Sequence, residues 1–200
     1  MKRGYAVFSK KLLHYLLGVY CVFGAISSAW ARDRYVIDST HTYSVFEYLH
    51  WGLSLQQGRF DKNSGSIEFD ADKRTGKVQL VIDAASVSTG NSLFDTAMRS
   101  ASFFDVDAYP QINFKSDSLV FDDAGKVIAI EGDLSIKNIS KKVRFELTHF
   151  HCRFMPLYFK TACGANGFAK ILRSDFEMGR YVPFVSDEVT LRFAIEAIRE

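Results

Sequence analysis

His149 and His151 are two apart, so in an extended chain they share one side, and with His41 or His50 they could chelate a metal ion. No carboxylate stands at a supporting distance in the sequence, and hydrogen bonding that pins the first strands is the competing role for His41 and His50. Ser174, Asp175 and His149 supply the side-chain types of a hydrolytic triad. No Gly-x-Ser-x-Gly elbow frames a nucleophile, so the set is a free choice rather than a motif. Cys152 and Cys163 are eleven apart, which is no zinc spacing. In an oxidising compartment the pair predicts a disulfide contributing roughly 2–3 kcal/mol; two buried thiols are the alternative. Arg99 and Arg173 carry guanidinium groups suited to a phosphate, which makes them candidates for a charged head group.

The compartment is read from the first residues. Lys2, Arg3, Lys10 and Lys11 precede an apolar run from Leu12 to about Ile26, which ends in Ser27-Ser28-Ala29-Trp30-Ala31. Basic start, apolar middle and small-residue end predict a secretory signal over residues 1–31, cut after Ala29 or Ala31. The run is shorter than the ~20 residues of a spanning helix. Tyr20 is too bulky to precede a lipid-modified Cys21. Losing residues 1–31 removes four basic side chains and turns a net charge of +2 into −2, so nucleic acid is not an expected partner. The expected product, residues 32–200, is a mildly acidic exported protein.

That product reads as strands. Phe46, Tyr48 and His50 alternate with polar or outward residues; so do Ile67 and Phe69, Val78, Leu80 and Ile82, Ile112 and Phe114, Ile130, Leu134 and Ile136, Val143 and Phe145, and Val189, Leu191 and Phe193. Turn residues punctuate at least seven such runs, as at Asn63-Ser64-Gly65, Asp122-Asp123-Ala124-Gly125 and Lys137-Asn138. Between them Leu93, Phe94, Ala97 and Met98 recur at helical spacing after a capping Asn91 or Ser92, and Ser102–Asp105 could start a second short helix. The expected fold is all-β: an antiparallel barrel with a short helical insert capping one end, with a sandwich as its rival.

The order of motifs resembles the YceI family, lipocalin-like polyisoprenoid-binding proteins. Tyr35-x-Ile37-Asp38-x-x-His41, Gly58-x-Phe60, Gly65-x-Ile67-x-Phe69-Asp70 and Ser86-Val87-x-Thr89 come first. Phe103-Phe104-Asp105, Tyr109-Pro110-x-Ile112-x-Phe114, Gly132-x-Leu134-x-Ile136, Arg173-Ser174-Asp175-Phe176 and Val185-Ser186-Asp187-x-Val189 follow. Glu177 and Asn138 stand where the family often has Gly, and the Cys152–Cys163 segment is not general to it. The resemblance implies an eight-stranded antiparallel lipocalin-like barrel with an elongated apolar pocket, no metal and no cofactor. Inward parity nominates Phe46, Tyr48, His50, Phe60, Phe69, Leu80, Ile82, Phe114, Leu134, Ile136, Phe145, Leu191 and Phe193 as its wall, with Leu93, Phe94, Met98, Phe103 and Phe104 closing it. The expected partner is an isoprenoid, isoprenoid quinone or other lipid, carried or buffered in the cell envelope. A transient membrane or redox partner is also open, as is a monomer or homodimer. The rival readings are a structural or stress-response protein with a filled barrel, and a small enzyme on the same scaffold.

Overall fold

In a computed structural model describing residues 33–200, the alternating runs become eleven strands in one antiparallel sheet. The signal expected over residues 1–31 lies outside the described residues. In chain order the strands are β1 (Asp33–Ile37), β2 (Tyr43–His50), β3 (Ser54–Phe60), β4 (Asn63–Asp70), β5 (Thr75–Asp83), β6 (Val87–Ser88), β7 (Gln111–Phe121), β8 (Val127–Ile136), β9 (Ile139–Met155), β10 (Lys160–Leu172) and β11 (Val185–Arg199). One α-helix among the described residues, α1 (Ser92–Arg99), sits between β6 and β7.

Eight strands close the ring: β1-β4-β5-β7-β8-β9-β10-β11 and back to β1. The last contact is Tyr35↔Arg199 to Ile37↔Ala197. The same edge of β11, nearer its start, carries β2 instead (Ala194↔Tyr43, Leu191↔Phe46), and β3 and β6 extend from there. Buried Asn63 ties this branch to the ring, accepting from Ser44 Oγ at 2.7 Å and donating to the Phe60 carbonyl at 2.9 Å. Closure pairs each strand of the ring on both sides, whereas β3 in the branch is paired on its outer edge only at Arg59 and Phe60, by β6. Lys137 and Asn138, both at positive φ, make the tight β8–β9 turn with the backbone twist a two-residue hairpin needs. The ring and core are complete within the unit Arg32–Glu200.

The register divides the barrel axis into two ends. One end collects the β8–β9 turn, the β2–β3 turn, α1 and the loop from β10 to β11; the other collects the β4–β5, β7–β8 and β9–β10 turns. At the second end Phe69 meets Phe150 edge to face at 5.4 Å. Cys152 and Cys163 are direct cross-strand partners there and are joined by a disulfide. Changing both to serine is expected to lower unfolding stability by about 2–3 kcal/mol. Equal urea midpoints for both proteins would rule that contribution out.

Between β1 and β2, Asp38 accepts from Thr40 N at 2.9 Å and contacts His41 Nδ1 at 2.8 Å. These bonds hold the Asp38 carboxyl down at about 2, and the same carboxylate raises His41 above its ordinary 6.5. The depressed acid stabilises the fold above its ordinary 3.8 and loses that contribution as pH falls through about 2. The raised base contributes fully below 6.5 and loses it as pH rises through its raised value. The melting-temperature gap between wild type and Asp38→Asn is therefore expected to be widest between pH 3.8 and 6.5 and to narrow on both sides. A gap that stays constant from acid to alkaline pH would contradict this assignment.

Candidate functional site

The inward faces do not meet at the barrel axis. They surround a cavity of about 350 Å³ at the first end, within the range of small-molecule sites. Strand parity supplies its wall: Phe46 and Tyr48 from β2, Phe60 from β3, Leu80 and Ile82 from β5, Phe114 from β7, Leu134 and Ile136 from β8, Phe145 from β9, and Leu191 and Phe193 from β11. Phe145 stands edge-on to Phe114 at 5.2 Å and to Phe193 at 5.5 Å, making an aromatic floor. The Phe46 ring lies against the backbone of Gly58, where a Cβ would come within 2.2 Å of the ring, so glycine there sets how far Phe46 can retract.

The opposite side of the opening is built by the insert. Asn91 caps α1, accepting from Leu93 N at 2.9 Å. Asp95 receives Thr89 N and Oγ1 at 2.6 and 2.8 Å, fixing the helix beside β6. Phe94, Ala97 and Met98 then reach the cavity, whereas Leu93 is 77 % exposed and does not. Residues after α1 form linked turns rather than a second helix, with Phe104 N bonded to the Met98 carbonyl at 3.0 Å and Asp105 at positive φ. These turns drop Phe104 onto Phe60 at 5.1 Å and Phe46 at 5.8 Å, and set Phe103 beside Tyr181 at the mouth.

Polar side chains on the lining are few. Ser44 is already bonded to Asn63 and Arg192 to Glu47; Tyr48, His50, Arg173, Arg180 and Tyr181 are the others that bear on the pocket. Burial pushes the Tyr48 phenol up, so it stays neutral at ordinary pH. Arg180 reaches Ser102 Oγ and lies over the Tyr181 ring at 4.9 Å, closing a bridge between the insert and the β10–β11 loop. This site favours a dry apolar guest with room for a polar end beside the opening.

Comparison with known proteins agrees with the barrel and its motif order. A YceI-like domain model matches residues 35–197. The chain belongs to the YceI-like family. The protein YceI of Shigella flexneri is 30% identical over 192 residues, covering 96% of this chain and 99% of that one. Burkholderia cenocepacia BcnA shares the fold, with TM-score 0.66, 23% identity, and coverage of 80% of this chain and 98% of that chain. A polyisoprenoid binding domain from Saccharophagus degradans does so with TM-score 0.63 and 16% identity, covering 83% of this chain and 98% of that one.

Several nominated residues of this YceI-like chain fall elsewhere. Phe69 points inward but belongs to the packed second end with Phe150, outside the cavity, and Leu93 faces outward. Arg99 is not at the mouth: its Nε and Nη2 donate to the carbonyls of Ala85 and Val87 at 2.9 and 2.8 Å, tying α1 to the adjoining turn. Arg173 does border the cavity, but it is buried and its donors go to the carbonyls of Ser186, Met178, Arg180 and Val185. Its guanidinium organises the mouth loop instead of standing free for a phosphate. Arg180, which carries no periodic or spacing signal, takes the mouth position. His149 and His151 lie on the β9–β10 hairpin at the second end, while His41 bonds Asp38 and His50 borders the opening. Ser174 donates to Asp187 Oδ2 at 2.6 Å, so neither the metal set nor the triad is brought together.

Proposed function

We propose that this protein holds a single apolar amphiphile, an isoprenoid, isoprenoid quinone or similar lipid, as a carrier or buffer in the periplasm. The observation that carries the reading is the hollow, aromatic-floored interior, with Tyr48, His50 and Arg180 among the few polar side chains on its lining. A hydrocarbon tail contributes roughly 25 cal/mol for each Å² taken from water, before the cost of ordering it. A slot that is already formed and lined mostly by apolar side chains keeps that cost low. A structure of the same fold, from Saccharophagus degradans, is a polyisoprenoid binding domain, which supports this class of guest. Binding rather than turnover is the proposed role, since the lining brings no nucleophile and base together.

Native mass spectrometry of the exported protein, followed by denaturing extraction, tests the reading. An added mass that is released as an apolar molecule is expected. Protein that carries no guest and gains no melting temperature with added polyprenol or quinone would refute it. Arg180→Gln is expected to weaken a phosphate-headed guest more than its alcohol; equal loss for both would remove Arg180 from the head-group role.

A further inference from the structure

The hairpin of β9 and β10 continues past the barrel. Beyond Ala129↔Glu146 strand β9 has no partner on the β8 side, and beyond Ala162↔Ile198 strand β10 has none on the β11 side. The remaining pairs, Thr161↔Phe154 and Lys160↔Met155, involve only the two arms. The hairpin ends in an apolar tip: Leu157 is 78 % and Phe159 84 % exposed, with Phe154 and Tyr158 also turned to solvent. None of these borders the cavity, which opens at the other end of the barrel.

The tip has a charge to match its greasy end. His149, His151 and Arg153 alternate along one face of β9, and register puts Lys160 on the same face beside Arg153. From Leu147 to Ser174 the sequence contains no Asp or Glu. The arm is thus a narrow projection with aromatic and aliphatic residues at its end and only basic charge behind them. Its two strands are linked by the Cys152–Cys163 disulfide just below the projecting part, so the tip is presented on a cross-braced stalk.

We propose that this tip docks the protein on an anionic phospholipid surface. Leu157 and Phe159, flanked by Phe154 and Tyr158, enter the boundary between acyl chains and head groups, while Arg153 and Lys160 meet lipid phosphates. A convex tip of one hairpin offers a protein partner little area, whereas a bilayer accepts a small wedge wherever it lands. Basic charge behind an apolar edge is the arrangement that an anionic leaflet attracts. Docked in this way, the barrel turns its open end away from that surface. The proposal does not rest on the cavity's guest.

The test uses the Arg32–Glu200 unit and vesicles of phosphatidylcholine with about one-third phosphatidylglycerol, read by co-flotation. Binding is expected there, and roughly tenfold or more weaker binding on pure phosphatidylcholine. The paired changes Leu157→Ser with Phe159→Ser, and Arg153→Glu with Lys160→Glu, should each reduce binding by roughly tenfold or more, leaving melting temperature and cavity guest unchanged. Wild-type protein that stays off the anionic vesicles overturns the proposal, as does a charge-reversed pair that floats as well as wild type. So does a tip variant that only converts a dimer to a monomer in sedimentation, which would make the arm an interface between copies of this chain. Loss of the cavity guest without loss of flotation would instead count against the carrier reading alone.

Discussion

Arg173→Met is expected to lower unfolding stability by about 3–5 kcal/mol and to free the loop between β10 and β11. The guanidinium gathers four carbonyls from Met178, Arg180, Val185 and Ser186, three of them at 2.8–2.9 Å. Methionine fills a similar volume but leaves those acceptors without donors beside an apolar cavity. Each unpaired buried acceptor costs about 1–3 kcal/mol, and the total is smaller than the sum because the loop can open to water. Arg173→Lys should recover only a minor part. An ammonium carries its donors at one point and cannot span carbonyls placed around a planar fork. Urea unfolding measures the loss, and amide exchange of residues 177–186 locates it. Unchanged stability together with selectively weaker binding of a phosphate-headed guest would instead return Arg173 to the role of a head-group ligand.

Arg173 also shows where sequence reading stops. An arginine next to a conspicuous Ser-Asp pair looks available for a ligand, because nothing in a linear pattern reveals that a loop will fold back and supply its acceptors. Arg180 is the converse: its position depends on the path of residues 177–184, which have no period. The wall was legible because strand parity separates inside from outside. Phe46, Leu80, Phe114, Leu134, Phe145 and Leu191 all line the cavity by that rule alone. Parity gives no position along the barrel axis, so Phe69, equally inward, proved to be packing at the far end. Helical spacing likewise groups Leu93 with Phe94 without saying which of the two faces the barrel, and the answer lies in how Asp95 and Arg99 bolt α1 to its neighbours. The closing pair β1–β11, with β2 sharing the same edge, joins segments too distant for any local signal.

Leu191→Trp is expected to abolish retention of the guest, with affinity falling by roughly a hundredfold or more, while the barrel remains folded. Leu191 lies midway along the part of β11 that lines the cavity, and its side chain is only partly buried by protein, so an added ring has space to enter. An indole is much larger than the isobutyl group it replaces and would occupy volume the guest needs. A tail deprived of about 110 Å² of contact loses about 2.7 kcal/mol, which corresponds to that factor. The protein itself gains apolar contact from the same change, so its melting temperature should hold or rise, in contrast to the overpacking cost in a solid core. This opposite movement of affinity and stability is what a hollow interior predicts. Titration with a fluorescent polyprenyl analogue, alongside thermal melts, reads both quantities. A folded Leu191→Trp barrel that binds as tightly as wild type would place the guest elsewhere. A marked loss of stability would mean that the space around Leu191 is already filled by protein, and the cavity could then hold no chain.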